Sequence, residues 1–199
     1  MVLKMNEQYW DGENWLKIKK DNHLIRYYLG DKLHRKDGPA EIWYIKNIIK
    51  SNEYFVNGQH HREDGPSIID YDENGNIEEE IYIINDKKHR NNGPAHIFYF
   101  ENGNIEGKTY VINGIIHRNN GPAVIKYFDN GNIEEEIYII NDKKHRNNGP
   151  AVIGYLQNGD ILKERYFYNG IEFYPDNLPF ELPIDTEEKK LYMNFKYGE

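Results

Sequence analysis

The sequence predicts an all-β protein, an elongated antiparallel meander of three-strand repeats in a single-layer twisted sheet. The first observation is a string, His-Arg-x-x-Gly-Pro-Ala/Ser, whose five copies begin at His34, His61, His89, His117 and His145. The starts are 27, 28, 28 and 28 residues apart, and a fixed period of this size is typical of repeat proteins. The second is that short β-rich runs alternate with Asn- and Gly-containing turns. The third is that no segment before the C-terminal tail sustains a helical period.

One repeat, residues 121–148, shows how the strands follow from the residue types. Its β-branched and aromatic runs favour strands, and its Asn-containing pairs favour tight hairpin turns because Asn and Gly tolerate a positive φ. The predicted elements are strand 123–128, the Asn130-Gly131 turn, strand 133–140, the Asn141-Asp142 turn and strand 143–146. Connections this short cannot make parallel crossovers, so the strands are expected to be antiparallel neighbours.

The first strand of every repeat has one constant and one variable face. Positions one, three and five read Ala or Ser, Ile and Tyr in all five repeats, as in Ala123, Ile125 and Tyr127. These positions share a face, because side chains alternate along a strand, and they predict the packing surface. The opposite face differs from repeat to repeat and is either solvated or a binding surface. Its candidate partner-binding residues, together with those at the strand ends, are Trp43, Phe98, Phe100 and Phe128.

The repeated histidines resemble a site but are predicted to be structural. If Asn141-Asp142 is a two-residue turn, Tyr138 faces His145 across a hairpin, and aromatic pairs of this kind stabilise sheets. The last repeat places Phe173 opposite Tyr166, and phenylalanine can replace histidine in packing but not as a ligand. Equivalent histidines would lie three strand spacings apart, about 14 Å, which is too far to share a metal ion.

The repeated arginines form a second row with two alternative roles. They could bond turn carbonyls and nearby carboxylates, or they could form a strip that binds phosphate, inositol phosphate or a nucleotide. The candidate anion-binding residues are Arg35, Arg62, Arg90, Arg118 and Arg146.

The ends of the chain depart from the repeat and divide it into three predicted parts. Residues 1–26 are expected to form an N-terminal cap, 27–174 a five-unit β-repeat domain and 175–199 a Pro-rich C-terminal cap. A short helix is predicted over 187–195, with Leu191 and Phe195 on one face.

The composition limits the classes of function. The net charge of −8 disfavours nucleic acid as a partner, because phosphate binding needs clustered positive charge. No apolar run has the length of a membrane span, and no secretion signal is recognised, so a cytoplasmic location is expected. The absence of cysteine excludes disulfides and thiolate sites. No catalytic motif is recognised, and no cofactor or metal site is predicted.

The pattern Tyr-x-x-Asn-Gly-x-Ile, followed by Glu and then Tyr in residues 127–138, resembles the variant form of the MORN repeat. The added His-Arg-x-x-Gly-Pro-Ala string is similar to repeat proteins of large DNA viruses and some bacteria, and the resemblance covers about residues 27–174. It implies a sheet used for protein contact, no catalytic residues, and a viral source in the host cytoplasm or the virion.

The sequence therefore favours a non-enzymatic scaffold that binds another protein or itself. The alternatives are a binder of a small anion, such as a nucleotide signal or phosphoinositide, that uses the arginine row, and an inhibitor of the antitoxin kind. An enzyme is disfavoured, because active sites usually occur once and the chemistry-bearing residues here are repeated.

Overall fold

The structure is a computed structural model that describes residues 7–174, and in that range every regular element is a strand. The chain divides into two compact units, Met1–Ile115 (unit 1) and Ile116–Glu199 (unit 2). The predicted all-β antiparallel meander is confirmed in both units. The predicted helix over 187–195 lies outside the described residues.

The strands of unit 1 follow one another along the chain with short connections. Those of its meander, in spatial order, are β1 (Gln8–Trp10), β2 (Trp15–Lys20), β3 (Leu24–Leu29), β5 (Glu41–Ile45), β6 (Ile48–Glu53), β9 (Ile68–Tyr71), β10 (Ile77–Ile81), β13 (His96–Tyr99) and β14 (Ile105–Thr109). The short strands beside the meander are β4 (Lys32–Leu33), β7 (Phe55–Val56), β8 (Gln59–His60), β11 (Ile83–Ile84), β12 (Lys87–Lys88) and β15 (Val111–Ile112). The two residues of β16 (Ile115–Ile116) stand at the boundary of the units.

Unit 2 repeats the same arrangement. Its meander contains β17 (Val124–Tyr127), β18 (Ile133–Ile137), β21 (Val152–Tyr155), β22 (Ile161–Tyr168) and β23 (Ile171–Phe173), in that order. The short strands are β19 (Ile139–Ile140) and β20 (Lys143–Lys144), and they pair with each other outside the meander.

Each full repeat contributes two strands, not three, to the meander. The predicted strand 133–140 is interrupted at Tyr138, and its last two residues pair with β20 in a separate hairpin. The predicted register is correct, because Ile139 pairs with Lys144 and Ile140 with Lys143. Since the third strand leaves the meander, equivalent positions lie two strand spacings apart, about 10 Å, and not the predicted 14 Å.

The tyrosine at this interruption belongs to both ladders. The N–H of Tyr138 donates to the carbonyl of Ala151 in the meander (2.7 Å), while its own carbonyl accepts from the N–H of His145 (3.0 Å). The same pair of bonds recurs at Tyr54 and Tyr82. The chain therefore changes sheets without losing backbone hydrogen bonds, which is what a buried backbone requires.

The two turns of a repeat differ from each other. Asn141 and Asp142 both have a positive φ, 51° and 61°, as a type I′ hairpin turn requires. In the Asn130-Gly131 pair Gly131 has a positive φ, 87°, and Asn130 does not. A β-bulge between Lys126 and Tyr127 shifts the register beside this turn.

The core lies along the constant positions of the first strands. The Ala or Ser at position one is fully buried in every repeat, and the Ile at position three is 7–8 % exposed in Ile97, Ile125 and Ile153. In unit 2, Phe167 of β22 joins Ala151 and Val152 in one buried cluster. The predicted packing surface is confirmed at positions one and three, but Val152, at position two of the variable face, is also buried.

Successive hairpins are joined by backbone hydrogen bonds and form a second row beside the meander, here called the hairpin row. In unit 1 the N–H of Arg62 donates to the carbonyl of Ile83 (3.2 Å), and the N–H of Asp86 donates to the carbonyl of His60 (3.0 Å). In unit 2 the N–H of Arg146 donates to the carbonyl of Phe167 (3.4 Å). Within each unit, neighbouring repeats therefore contact each other through two rows.

Candidate functional site

The arginine of the motif stacks on a tyrosine of its own repeat. The guanidinium carbon of Arg62 lies 4.0 Å from the centre of the Tyr54 ring, and that of Arg146 lies 3.8 Å from the centre of the Tyr138 ring. The same stacking joins Arg35 to Tyr27 and Arg90 to Tyr82. A guanidinium over an aromatic face gains cation–π attraction while it covers apolar surface.

The remaining residues of the motif enclose that guanidinium. A Cβ atom placed on Gly65 would lie 2.8 Å from Cζ of Arg62, so only glycine leaves room for the side chain. Nη1 of Arg62 donates to the carbonyl of Pro66 (3.2 Å) and Nε donates to Asp64 (2.8 Å). The bond to the Pro carbonyl recurs in all five motifs, at 3.0–3.4 Å. The spacing Arg-x-x-Gly-Pro is therefore explained by packing.

Each of the five candidate anion-binding arginines therefore already donates a hydrogen bond to a Pro carbonyl of its own loop. The side chains of Arg35 and Arg62 are 15 % and 24 % exposed. In Arg35, Nε donates to Asp37 (2.9 Å), and the hydroxyl of Tyr9 accepts from Nη2 (3.2 Å). These contacts correspond to the first of the two predicted roles, bonding to turn carbonyls and nearby carboxylates.

The histidine of the motif reaches forward to the next repeat. Nδ1 of His89 accepts from the backbone N–H of Asn113 (3.1 Å), 24 residues later. In unit 2, Nδ1 of His145 accepts from the N–H of Asn169 (3.1 Å). His34, His61 and His117 contact the equivalent asparagine of the following turn. The histidines therefore link neighbouring repeats.

The predicted ring contact between Tyr138 and His145 is replaced by other contacts, whereas the predicted pair Tyr166 and Phe173 is observed with ring centroids 5.9 Å apart. The Tyr138 ring carries Arg146, and the ring of His145 lies against Tyr168 with centroids 4.8 Å apart. Only the backbone pairing of Tyr138 with His145 follows the prediction.

The N-terminal hairpin covers the first motif. The Tyr9 ring centre lies 4.6 Å from the guanidinium carbon of Arg35, on which Tyr27 also stacks. Asp11 is buried and accepts backbone N–H groups of Glu13 and Asn14. Burial works against its charge, but these hydrogen bonds outweigh burial and lower the pKa of Asp11.

The variable face of unit 1 carries a row of five residues that are directly opposite one another across strands. They are Trp43, Ser51, Asp70, Glu79 and Phe98, here called the docking row. Trp43 and Phe98 are 41 % and 38 % exposed, and they stand at the two ends of the row. Residues paired across a sheet point to one side, so all five belong to one face.

Neighbouring groups fix the side chains of the docking row. Nε1 of Trp43 donates to Glu41 (2.6 Å), and the Phe98 ring lies against the ring of His96 with centroids 4.1 Å apart. His96 bonds Glu79 through Nε2, and Nζ of Lys88 donates to its Nδ1 (3.1 Å). Burial and the charge of Lys88 lower the pKa of His96.

The centre of the docking row holds two carboxyl groups side by side. Burial, together with the charges of Glu79 and Glu53, raises the pKa of Asp70, although Ser51 donates a hydrogen bond to it. The sequence identified Asp70 only as a variable position and missed Glu79. Bulges beside the first turns shift the strand pairing, so counting residues across those turns does not find the partner.

The corresponding positions in unit 2 are electrostatically paired. The carboxylate of Glu135 forms ion pairs with Nζ of Lys126 (3.3 Å) and with Nζ of Lys163 (3.0 Å). Burial opposes the charge of Glu135, but the two lysines outweigh burial and lower its pKa. The glutamate at this place in the repeat thus faces two lysines in unit 2, whereas in unit 1 it faces Asp70 and bonds His96.

Phe100 and Phe128, the other predicted partner contacts, are half-buried at the first turns of their repeats. Their N–H groups donate to the carbonyls of Asn104 and Asn132, both at 2.9 Å, and close the turns. Phe100 also lines an acidic cleft of about 400 Å³ with Lys50 and Asp72. The structure therefore does not place Phe100 in the docking row.

Tyrosines of the constant face bond glutamates of the preceding repeat. The hydroxyl of Tyr99 donates to Glu80 (2.9 Å), and that of Tyr155 donates to Glu136 (3.0 Å). Burial and the neighbouring carboxylate raise the pKa of Tyr99 and of Tyr155 to about 12 in each case. These bonds add a further contact between repeats.

Comparison with known proteins identified no relative of this chain. No family model matches the chain, and no curated protein or solved structure matches it. Across residues 7–174 no group of three or more His, Asp or Glu side chains is placed to hold a metal ion. The same residues include no helix of the length and apolarity needed to cross a membrane.

Proposed function

We propose that this chain is a non-enzymatic β-repeat scaffold that binds a protein partner through the variable face of its sheet. The observation that carries the proposal is that the repeated residues make structural contacts, whereas the exposed aromatic rings are specific to single repeats. The repeated His and Tyr side chains bond neighbouring repeats and the repeated Arg side chains pack within their own repeat, whereas the large exposed rings Trp43 and Phe98 are not repeated. Exposed aromatic side chains of this kind are typical of binding surfaces.

The resemblance to MORN-like repeats supports a role in protein contact and extends the proposal to a viral source, in the host cytoplasm or the virion. The alternative of an anion strip has less support, because each motif guanidinium already bonds a Pro carbonyl of its own loop. Self-association and an antitoxin-like inhibitory contact are special cases of the same scaffold, in which the partner is a second copy or a toxin.

The proposal is tested by capture of proteins from an extract of the native host cell on the immobilised chain. The variant Trp43→Ala/Phe98→Ala should lose specific partners while its melting temperature stays within a few degrees of the wild type. A matched control, Ile161→Ala/Leu162→Ala, removes two apolar side chains of β22 that are 57 % and 62 % exposed. Loss of the same partners in both variants, or retention in both, contradicts the proposed surface.

A further inference from the structure

The docking row has the dimensions of an extended peptide. Trp43 on β5 and Phe98 on β13 are separated by four strand spacings, about 19 Å. A segment of about six residues in extended conformation covers this distance at roughly 3.3 Å per residue. The two exposed rings therefore stand where the ends of such a segment would lie.

The centre of the docking row holds two carboxyl groups, Asp70 and Glu79, without a lysine or arginine of residues 7–174 between them. Asp70 and Glu79 are directly opposite each other on adjacent strands, and like charges in this arrangement destabilise a sheet. The groups that act most on Asp70 are two carboxylates and the hydroxyl of Ser51, and none of them is a cation. Glu79 bonds Nε2 of His96, and the ammonium group of Lys88 donates to Nδ1 of the same ring.

The chain itself shows how the arrangement is completed. In unit 2 the position of Asp70 is occupied by Lys126, whose ammonium group lies 3.3 Å from the carboxylate of Glu135. Lys163 approaches the same carboxylate from the other side at 3.0 Å. Unit 1 keeps the glutamate, Glu79, but has Asp70 in place of Lys126. It has Phe98 and Gly107 where unit 2 has Gly154 and Lys163.

We propose that the docking row binds an extended basic segment of a protein, whose lysine or arginine side chains reach Asp70 and Glu79 while flanking groups contact Trp43 and Phe98. This inference rests on the proposed function and names the class of its partner. The exposed rings supply apolar contact and a cation–π face, and the carboxylates supply the opposite charge. A basic segment thereby provides from outside the charges that Lys126 and Lys163 provide within unit 2.

The test uses the full chain and a fluorescein-labelled peptide of about seven residues with a Lys-Arg-Lys centre. A peptide of equal length with a Glu-Glu-Glu centre serves as the control, and polarisation is measured at low and high salt. The wild type should bind the basic peptide at least about tenfold more tightly than the acidic one. The preference should weaken with salt, because exposed charges are screened.

Three variants decide whether the docking row is responsible. Asp70→Lys recreates the unit 2 arrangement, so it should fold and bind the basic peptide at least about tenfold more weakly. Trp43→Ala/Phe98→Ala should also weaken binding about tenfold. Glu106→Lys makes the same charge change at an exposed position of β14 and should bind within about twofold of the wild type. If Asp70→Lys does not fold, Asp70→Asn removes the charge alone and should still weaken binding.

Two results overturn the inference and separate it from the proposed function. Absence of a preference for the basic peptide, or equal weakening by Asp70→Lys and Glu106→Lys, shows that the row is not a basic-segment site. If Asp70→Lys nevertheless captures the same host proteins as the wild type, and the ring variant does not, the scaffold function stands and only the partner class is wrong.

Discussion

Nδ1 of His145 accepts a hydrogen bond from the backbone N–H of Asn169 across 3.1 Å, and so ties one repeat to the turn of the next. Nε2 of the same ring bonds Oδ1 of Asn147 (2.8 Å), which assigns the proton to Nε2 and leaves Nδ1 as the acceptor. Asn169 holds a φ of 49°, a conformation that asparagine tolerates. Histidine is suited to this position because it accepts at one nitrogen and donates at the other.

His145→Phe should lower the free energy of unfolding by about 1 kcal/mol, because it removes the acceptor of Asn169 while keeping a ring against Tyr168. Urea titration at pH 7.5 measures the change. Phe173 occupies the matching position in the last repeat, where no following hairpin is present among residues 7–174. The control is His23→Phe, an exposed histidine outside the motif, which should be neutral. Equal effects in both variants would return the motif histidine to a simple packing role.

Gly65→Ala should destabilise the chain by about 1–2 kcal/mol, and by an amount similar to that of Arg62→Ala. The added methyl would lie 2.8 Å from Cζ of Arg62, so the guanidinium must leave the Tyr54 ring and the carbonyl of Pro66. Since both changes remove the same contacts, the double variant should cost much less than their sum. Additive losses in a double-mutant cycle would show that the glycine serves the backbone alone.

Unfolding stability should fall as the pH rises from 10 to about 12. The pKa of Tyr99 and of Tyr155 is raised to about 12 in the folded chain, so the unfolded chain loses these protons first. The stability that the two tyrosine hydroxyls contribute is therefore complete below pH 10, and it is lost as the pH rises through their pKa in the folded chain. Tyr99→Phe/Tyr155→Phe should show a shallower decline in urea titrations between pH 9 and 11.5. A decline as steep as that of the wild type would contradict the assignment.

Calorimetry with cyclic nucleotides and inositol phosphates should give no heat above that of buffer. The guanidinium groups of Arg62 and Arg146 already contact a tyrosine ring and a Pro carbonyl, and an anion would have to displace these contacts. A saturable heat that Arg90→Gln reduces would instead favour the anion-binding alternative. Binding that this substitution leaves unchanged would place an anion site elsewhere.

Local chemistry made several features of the fold predictable. The two-residue turn at Asn141-Asp142 fixed the register of its hairpin, because both residues adopt a positive φ. The alternation of Ala, Ile and Tyr along the first strand identified the buried face, since side chains on a strand alternate between its two sides. Both inferences use only neighbours in the chain, and both agree with the structure.

The roles of the motif residues could not be predicted in the same way. His145 contacts a residue 24 positions later, and that contact exists only because successive hairpins stack in their own row. The strand is interrupted at Tyr138 and the Tyr138 ring contacts Arg146, and counting residues across the hairpin predicts neither feature. Phe128, selected as exposed, is half-buried at the first turn of its repeat.

The sequence by itself determined the repeat period, the strand class, the buried face and the hairpin turns, because these depend on residue types and on backbone preferences over a few positions. The tertiary structure alone decided which strands share a sheet, what the His and Arg side chains contact, and that Asp70 lies opposite Glu79. The physical reason is that these relationships join residues from different strands and repeats. Their geometry depends on bulges, on strand interruptions and on the stacking of hairpins.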